Sequence, residues 1–236
     1  MSSAPPPAPS TAGGGSFEVG AHIKDPERLG EMKSNGMDWV KYQVVMPGGA
    51  PDLGGIIGTV RGAGMKILIG AIGDRGRAND LGYHKEFAAA LANVAKQGVD
   101  AIEVWNEINL DREWSTNPQR LDARRYVDLL KVTRDAIHAI DPNVIVISSA
   151  LSPTGGNGNP NSAQDDFIYM DQLIAAGMLQ YADCVGTHHN GLNVPPTVTD
   201  FRNIPERVPP AKYRGPWSSP HHSWSFRTTL QGYMDK

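Results

Sequence analysis

The sequence predicts an α/β fold with a parallel sheet, a (β/α)8 barrel of which about six of the eight β-α units are present. Three observations lead there. Short apolar runs alternate with helix-length segments from Phe17 onward, the mark of successive βαβ units. The length of 236 residues suits one barrel of roughly 250. The first strand-turn lacks the Gly-x-Gly-x-x-Gly fingerprint of an open doubly wound sheet, which shares the same alternation.

Each element has a local reason. Residues 17–23 (FEVGAHI) read as a first strand, and Asp25-Pro26 as an N-cap and first-turn proline opening a helix through Ser34, stopped by Asn35-Gly36. Residues 38–45, rich in Trp, Val and Tyr, form a second strand. Residues 53–63 form a glycine-weakened helix ended by Gly64. A third strand spans 66–72, a third helix runs over 83–97 to Gly98, and a fourth strand covers 101–105. Residues 120–140 make a strongly amphipathic helix ended by Asp141-Pro142. A strand at 144–148, a helix at 165–176 and a sixth strand at 184–187 follow. A Pro-rich loop over 195–220 then leads to a last helix from about Ser225.

Residues 1–15 are Pro, Ala, Ser and Gly almost throughout, cannot pack a core, and read as a disordered linker. They lack the apolar stretch of a signal peptide, and a linker in that position makes a further domain before it an expectation. Residues 16–236 are then the folded domain. A net charge of -3 gives no basic footprint for nucleic acid or an anionic membrane. No run approaches the roughly 18 apolar residues of a membrane span. The single cysteine, Cys184, excludes an internal disulfide framework and a cysteine-based zinc site, and its apolar surroundings predict a buried, inert thiol.

The most informative segment is Val104-Trp105-Asn106-Glu107-Ile108-Asn109, closing the fourth strand. In a parallel barrel the βα-loops open at the C-terminal ends of the strands, so an amide and a carboxyl group side by side there belong at an active site. A carboxyl group so placed can act as general acid/base, and the Asn can hydrogen-bond a sugar hydroxyl. The segment closely resembles the acid/base strand of the clan A retaining glycoside hydrolases, the cellulase-like and xylosidase-like (β/α)8 enzymes. The resemblance implies Glu107 as acid/base and Asn106 as the holder of the sugar 2-hydroxyl. It also implies His188, in the sixth-strand ending Val185-Gly186-Thr187-His188-His189-Asn190, as a residue that orients the nucleophile or binds sugar. Asn190 stands where a Tyr is common in such enzymes.

Further candidates come from position. Lys41 and Gln43 share one face of the second strand by the period-two rule, with no Arg between 38 and 46 to match the one usual there. His22 ends the first strand and either lines the pocket or packs. Trp217 and Trp224, beside His221 and His222, could stack on sugar faces or pin the loop. No metal and no cofactor is assigned.

A retaining mechanism needs a second carboxylate about 5 to 5.5 Å from the first. In the resembling enzymes it is a Glu ending the seventh strand. After the sixth strand this sequence offers only Asp200, Glu206 and Asp235, none of them following a strand-like run. The nucleophile is therefore expected beyond the C-terminus, and without that neighbour the Glu107 pKa is expected to be raised less than in a complete barrel. The expected activity is hydrolysis of O-glycosidic bonds in a polysaccharide or oligosaccharide, the full-length protein being extracellular or at the cell surface. The alternatives are an inactive carbohydrate-binding barrel and a metal-dependent barrel hydrolase drawing on His22, His188, His189, His221 and His222. Against the latter, the first strand carries Ala21-His22-Ile23 where metal barrels usually show His-x-His.

Overall fold

The computed structural model of the chain describes residues 17–46, 48–115, 120–155, 161–191, 196, 198 and 221–236. The predicted linker, most of the Pro-rich loop and Trp217, Asp200 and Glu206 lie outside these residues.

Five strands, β1 (Gly20–Ile23), β2 (Trp39–Val45), β3 (Lys66–Ile72), β4 (Ala101–Val104) and β5 (Ile145–Ser148), form one sheet in the order β1-β2-β3-β4-β5. Every pairing is parallel. Strictly sequential order with no reversal rules out the doubly wound alternative, whose strand order turns back at a switch point. Between strands lie α1 (Leu29–Ser34), α2 (Gly54–Gly62), α3 (Leu81–Ala95) and α4 (Ala123–His138), followed by α5 (Asp166–Ala175) and α6 (Phe226–Met234).

Alternation decides which face each strand turns to the helices. Val40 and Val44, Ile67 and Ile69, Ile102 and Val104, and Val146 are buried in one core with Ile57 and Val60 of α2, Phe87 and Leu91 of α3, and Tyr126 and Leu130 of α4. Each such aliphatic side chain stabilises the fold by about 1.5–3 kcal/mol relative to exposure. The opposite face carries Lys41, Gln43 and Glu103, so polar groups gather on the side that a barrel turns inward. Helix starts are fixed by side-chain caps: Asp80 accepts from Gly82 N–H, Asp122 from Arg124 N–H, Asp165 from Phe167 N–H and Ser225 from Thr228 N–H. Such caps contribute about 1 kcal/mol each.

Three expectations need correction. The first helix begins at Leu29 rather than at Pro26, and its N-cap position, Arg28, makes no side-chain cap. Asp25 instead accepts from Glu27 N–H at 3.2 Å, a local turn that competes with helix initiation. The sixth strand is reduced to two isolated parallel bridges, Ile147 to Cys184 and Leu151 to Thr187. Gly186 N–H between them donates to Ser148 Oγ at 3.1 Å, a side-chain bond where a ladder bond would stand. Cys184 is consequently exposed, not buried, since its segment has β5 on one side only among the described residues. Partial desolvation and then the neighbouring Asp183 charge push its thiol pKa up, which keeps it protonated and unreactive.

Candidate active site

The end of β4 is bent by its own tryptophan. Trp105 N–H still donates to Ala71 O at 2.8 Å, but its φ of 74° lies in the left-handed region and ends the strand one residue early. For a bulky residue this costs on the order of 1–3 kcal/mol and needs compensation. The buried indole provides it, with ring centroids 5.3 Å from Phe87 and 5.1 Å from Trp114 and its Nε1–H donating to Glu113 O at 2.9 Å. Gly73 is required for this packing, because a Cβ there would come within 2.5 Å of the indole. Trp105 thus faces the helices as an anchor, and the turn it forces aims the next residues at the sheet's C-terminal edge.

Glu107 also has positive φ, 45°, with its N–H donating to Ala150 O at 2.9 Å. Two fully buried side chains hold this corner. Tyr126 OH donates to Val104 O at 2.9 Å and accepts from Ser149 N–H at 2.6 Å, tying the ends of β4 and β5. Asn109 donates to Ser152 O at 2.7 Å and Gln164 O at 2.8 Å, and accepts from Ser152 N–H at 2.9 Å. Its amide clasps the loop after β4 to both ends of the loop after β5.

The Glu107 carboxylate sits among three donors. Its Oε1 accepts from His188 Nδ1 at 3.0 Å and Asn190 Nδ2 at 3.0 Å, and its Oε2 from Arg112 Nη2 at 3.1 Å. The Glu107 side chain is 10% exposed and that of Arg112 65%. Burial alone would raise the Glu107 pKa, but the hydrogen bond and charge of His188, then the bonds from Arg112 and Asn190, outweigh it and hold the carboxyl at about 2. The direction is downward, where the sequence predicted a weakened rise. Asn190, at φ 42°, and His188 both serve Glu107 itself. Arg112 was missed by the sequence reading, since nothing in Asp111-Arg112-Glu113 distinguishes it from a solvated loop charge.

The other candidates separate from this cluster. Lys41 pairs with Glu103, whose Oε1 also accepts from Ala150 N–H at 3.2 Å. Lys41 reaches Glu103 across Gly70, where a Cβ would stand 2.9 Å from Lys41 Cε. His22 is exposed, opposite Lys41 in register, with its pKa lowered by desolvation and then by the Lys41 charge. Gln43 is exposed on the same face. Asn106 follows the anchor directly, and its side chain has no hydrogen-bond partner among the described residues. Trp224 is 3% exposed, so its ring faces are covered by protein and offer no platform for a sugar, which corrects the stacking expectation. Trp217 lies outside the described residues. The five histidines do not converge: His188 goes to Glu107 and His189 to Thr229 Oγ1 at 3.3 Å, while His221 and His222 meet elsewhere. Asp235, at the C-cap of α6, accepts from Gln231 Nε2 at 2.7 Å. The described residues thus offer Glu107 as one carboxylate with positioned donors and an adjacent amide, a set suited to proton transfer beside a hydroxyl-rich ligand.

No protein-family model and no curated protein matches the chain. Solved structures do. The catalytic domain of GH30 xylanase C from Talaromyces cellulolyticus is similar over 75% of this chain and 55% of its own, with a TM-score of 0.50 and 9% identity. The GH53 catalytic domain of Ignisphaera aggregans covers 66% of this chain and 50% of its own, at a TM-score of 0.46 and 18% identity. PbGH5A of Prevotella bryantii B14, a family 5 enzyme, covers 75% and 70%, at 0.43 and 12%. All three are glycoside hydrolases of clan A, the clan that the Trp-Asn-Glu segment resembles. The chain spans about half the length of the first two. At these identities the likeness is one of fold: sequential parallel strands with alternating helices make this chain part of a (β/α)8 barrel.

Proposed function

We propose that the chain is part of a retaining glycosidase acting on a polysaccharide or oligosaccharide outside the cell or at its surface, with Glu107 as general acid/base. The observation that carries this is the placement of Glu107 at the C-terminal edge of β4, next to Asn106, in the grip of His188 and Asn190. Glu107 protonates the departing glycosidic oxygen and then takes a proton from the incoming water, while Asn106 hydrogen-bonds the sugar hydroxyl beside the anomeric carbon. The mechanism also needs a nucleophilic carboxylate about 5–5.5 Å from Glu107. At a pKa of about 2 the resting Glu107 is ionised and cannot donate a proton near neutrality. Two changes restore its acidity: the nucleophilic carboxylate nearby raises the pKa by like-charge repulsion, and the exposed Arg112 swings out to admit substrate. The depressed pKa also favours a second reading, an inactive barrel that binds sugar through the same donors.

One experiment separates the two. The protein, in the full form its gene encodes, is assayed on aryl β-glycosides with good and poor leaving groups. Glu107→Gln is expected to lower turnover by about 10²–10⁴-fold on poor leaving groups, which need protonation, and far less on good ones. Saturable sugar binding without turnover in the unsubstituted chain would establish the inactive barrel. A loss independent of the leaving group would remove Glu107 from the acid role.

A further inference from the structure

Away from Glu107, two consecutive aspartates meet two consecutive histidines. Asp165 and Asp166 stand at the entry of α5, and His221 and His222 enter the 3-10 turn His222–Trp224 that precedes α6. His221 Nε2 lies 2.9 Å from Asp165 Oδ2, and His222 Nε2 lies 2.9 Å from Asp166 Oδ1. One ligand atom from each of the four residues falls within 4.8 Å of the other three. We propose that this cluster is a structural binding site for a divalent ion of the zinc class.

The donor set selects the ion. Two imidazoles and two carboxylates suit tetrahedral Zn²⁺, whereas Ca²⁺ and Mg²⁺ take six or more oxygens. Bonds of about 2.0–2.2 Å place tetrahedral ligand atoms roughly 3.3 Å apart, so closure around an ion needs a contraction of at most about 1.5 Å. Four protein ligands leave no open position, which makes the site structural rather than catalytic.

The surroundings fix the ligands as a metal site requires. Asp166 is fully buried, and its second oxygen is occupied by Tyr233 OH at 2.8 Å, leaving Oδ1 for the centre. The second oxygen of Asp165 caps α5 through Phe167 N–H at 3.3 Å, leaving Oδ2, which also accepts from Gly155 N–H at 3.0 Å. His222 stacks on Phe167 with ring centroids 3.6 Å apart and planes 7° from parallel. His221 Nδ1 accepts from Ser223 N–H at 3.3 Å and lies 2.8 Å from Ser223 Oγ, a hydroxyl placed to accept from Nδ1–H once Nε2 binds the ion. Charge points the same way: a divalent ion here neutralises the two carboxylates, and the two rings are already 4.1 Å apart. Such an ion would staple the 221–236 segment to α5. That segment backs the Glu107 corner, since a Cβ on Gly191 would meet Ser223 O at 2.1 Å, next to the His188–Asn190 turn.

The test uses the 236-residue chain, freed of metal with EDTA and titrated with ZnCl2, with CoCl2 as a spectroscopic probe. One equivalent of zinc is expected to bind, shifting the imidazole ¹⁵N resonances of His221 and His222 and leaving His22 unmoved, while cobalt gives a tetrahedral absorption band. Asp166→Asn, which keeps a similar shape but withdraws the charged ligand, is expected to abolish uptake. Ser223→Ala is expected to weaken uptake by about 10–100-fold. Two results overturn the proposal: no zinc uptake by the unsubstituted chain, or uptake whose shifts fall only on other histidines. Either leaves two His–Asp hydrogen bonds and nothing more.

Discussion

Glu107 and Asp166 are both buried carboxylates hydrogen-bonded to a histidine, yet their corners are built for opposite ends. Around Glu107, Trp105, Glu107 and Asn190 all have positive φ, and one carboxylate oxygen is held by an arginine that is mostly in solvent. Around Asp166 each oxygen has its own partner, the side chain is wholly excluded from water, and the Asp165 cap has an ordinary extended φ of -60° and ψ of 142°. Strain and a releasable partner belong where a group must change its protonation state. Saturated, unstrained contacts belong where a segment must stay put. The contrast fits the chemistry proposed for the first corner and anchorage at the second.

The largest expected effect falls on the anchor. Asp166→Ala leaves the partly buried His222 and Tyr233 without their acceptor, and breaking a buried pair from one side costs about 3–5 kcal/mol. Urea unfolding in EDTA, compared with the unsubstituted chain, measures this. A cost below about 1 kcal/mol, the range of exposed pairs, would erase the distinction between the corners.

The next effect belongs to pH. The folded Glu107 pKa of about 2 lies below its ordinary value of 4.5, so its contribution is fully present above 4.5 and disappears as pH falls through 2. A displacement of this size corresponds to a few kcal/mol, on the order of 3 before allowance for solvent around Arg112. The stability difference between the unsubstituted chain and Glu107→Gln, followed by unfolding from pH 6 down to pH 2, is expected to shrink across that window. A difference that stays flat contradicts the depressed pKa and, with it, the ionised resting state.

How these corners read from sequence differs as well. The parallel alternation and the Trp-Asn-Glu ending were legible, because a strand's period and a motif at its end are both local. β3 matches its predicted span, residues 66–72, and Glu107 with His188 and Asn190 lands in one cluster. Less legible was what depends on geometry across the chain. Trp105 reads as the last strand residue until Phe87 and Trp114 draw its ring to the helices and turn φ positive. Asp25 reads as a cap, but it opens no helix directly, whereas Asp80 does. The sixth strand had the right composition, yet a strand needs a ladder, and residues 184–187 make two bridges. The Asp165–Asp166 and His221–His222 pairs are 56 residues apart, a separation no spacing rule connects.

Arg112 gives the smallest and most discriminating effect. Its guanidinium donates to Glu107 Oε2 at 3.1 Å from a side chain that is 65% exposed, so the ion pair itself contributes no more than about 0–1 kcal/mol to stability. Its influence on Glu107 is separate from that contribution, because a nearby cation favours the ionised form even when the pair adds little to folding. Arg112→Ala is therefore expected to leave the unfolding midpoint almost unchanged while raising the Glu107 pKa from about 2 toward its ordinary range. His188 and Asn190 still donate to Oε1, and that keeps the rise partial. Carbon-detected titration of the Glu107 carboxyl, run beside a thermal melt, reads both quantities on one sample. An unmoved pKa would show that Arg112 does not hold Glu107 ionised, and its departure could not then help to prepare the acid. A large fall in stability would make Arg112 a structural partner like Tyr233, and the Glu107 corner would resemble the anchor it is set against.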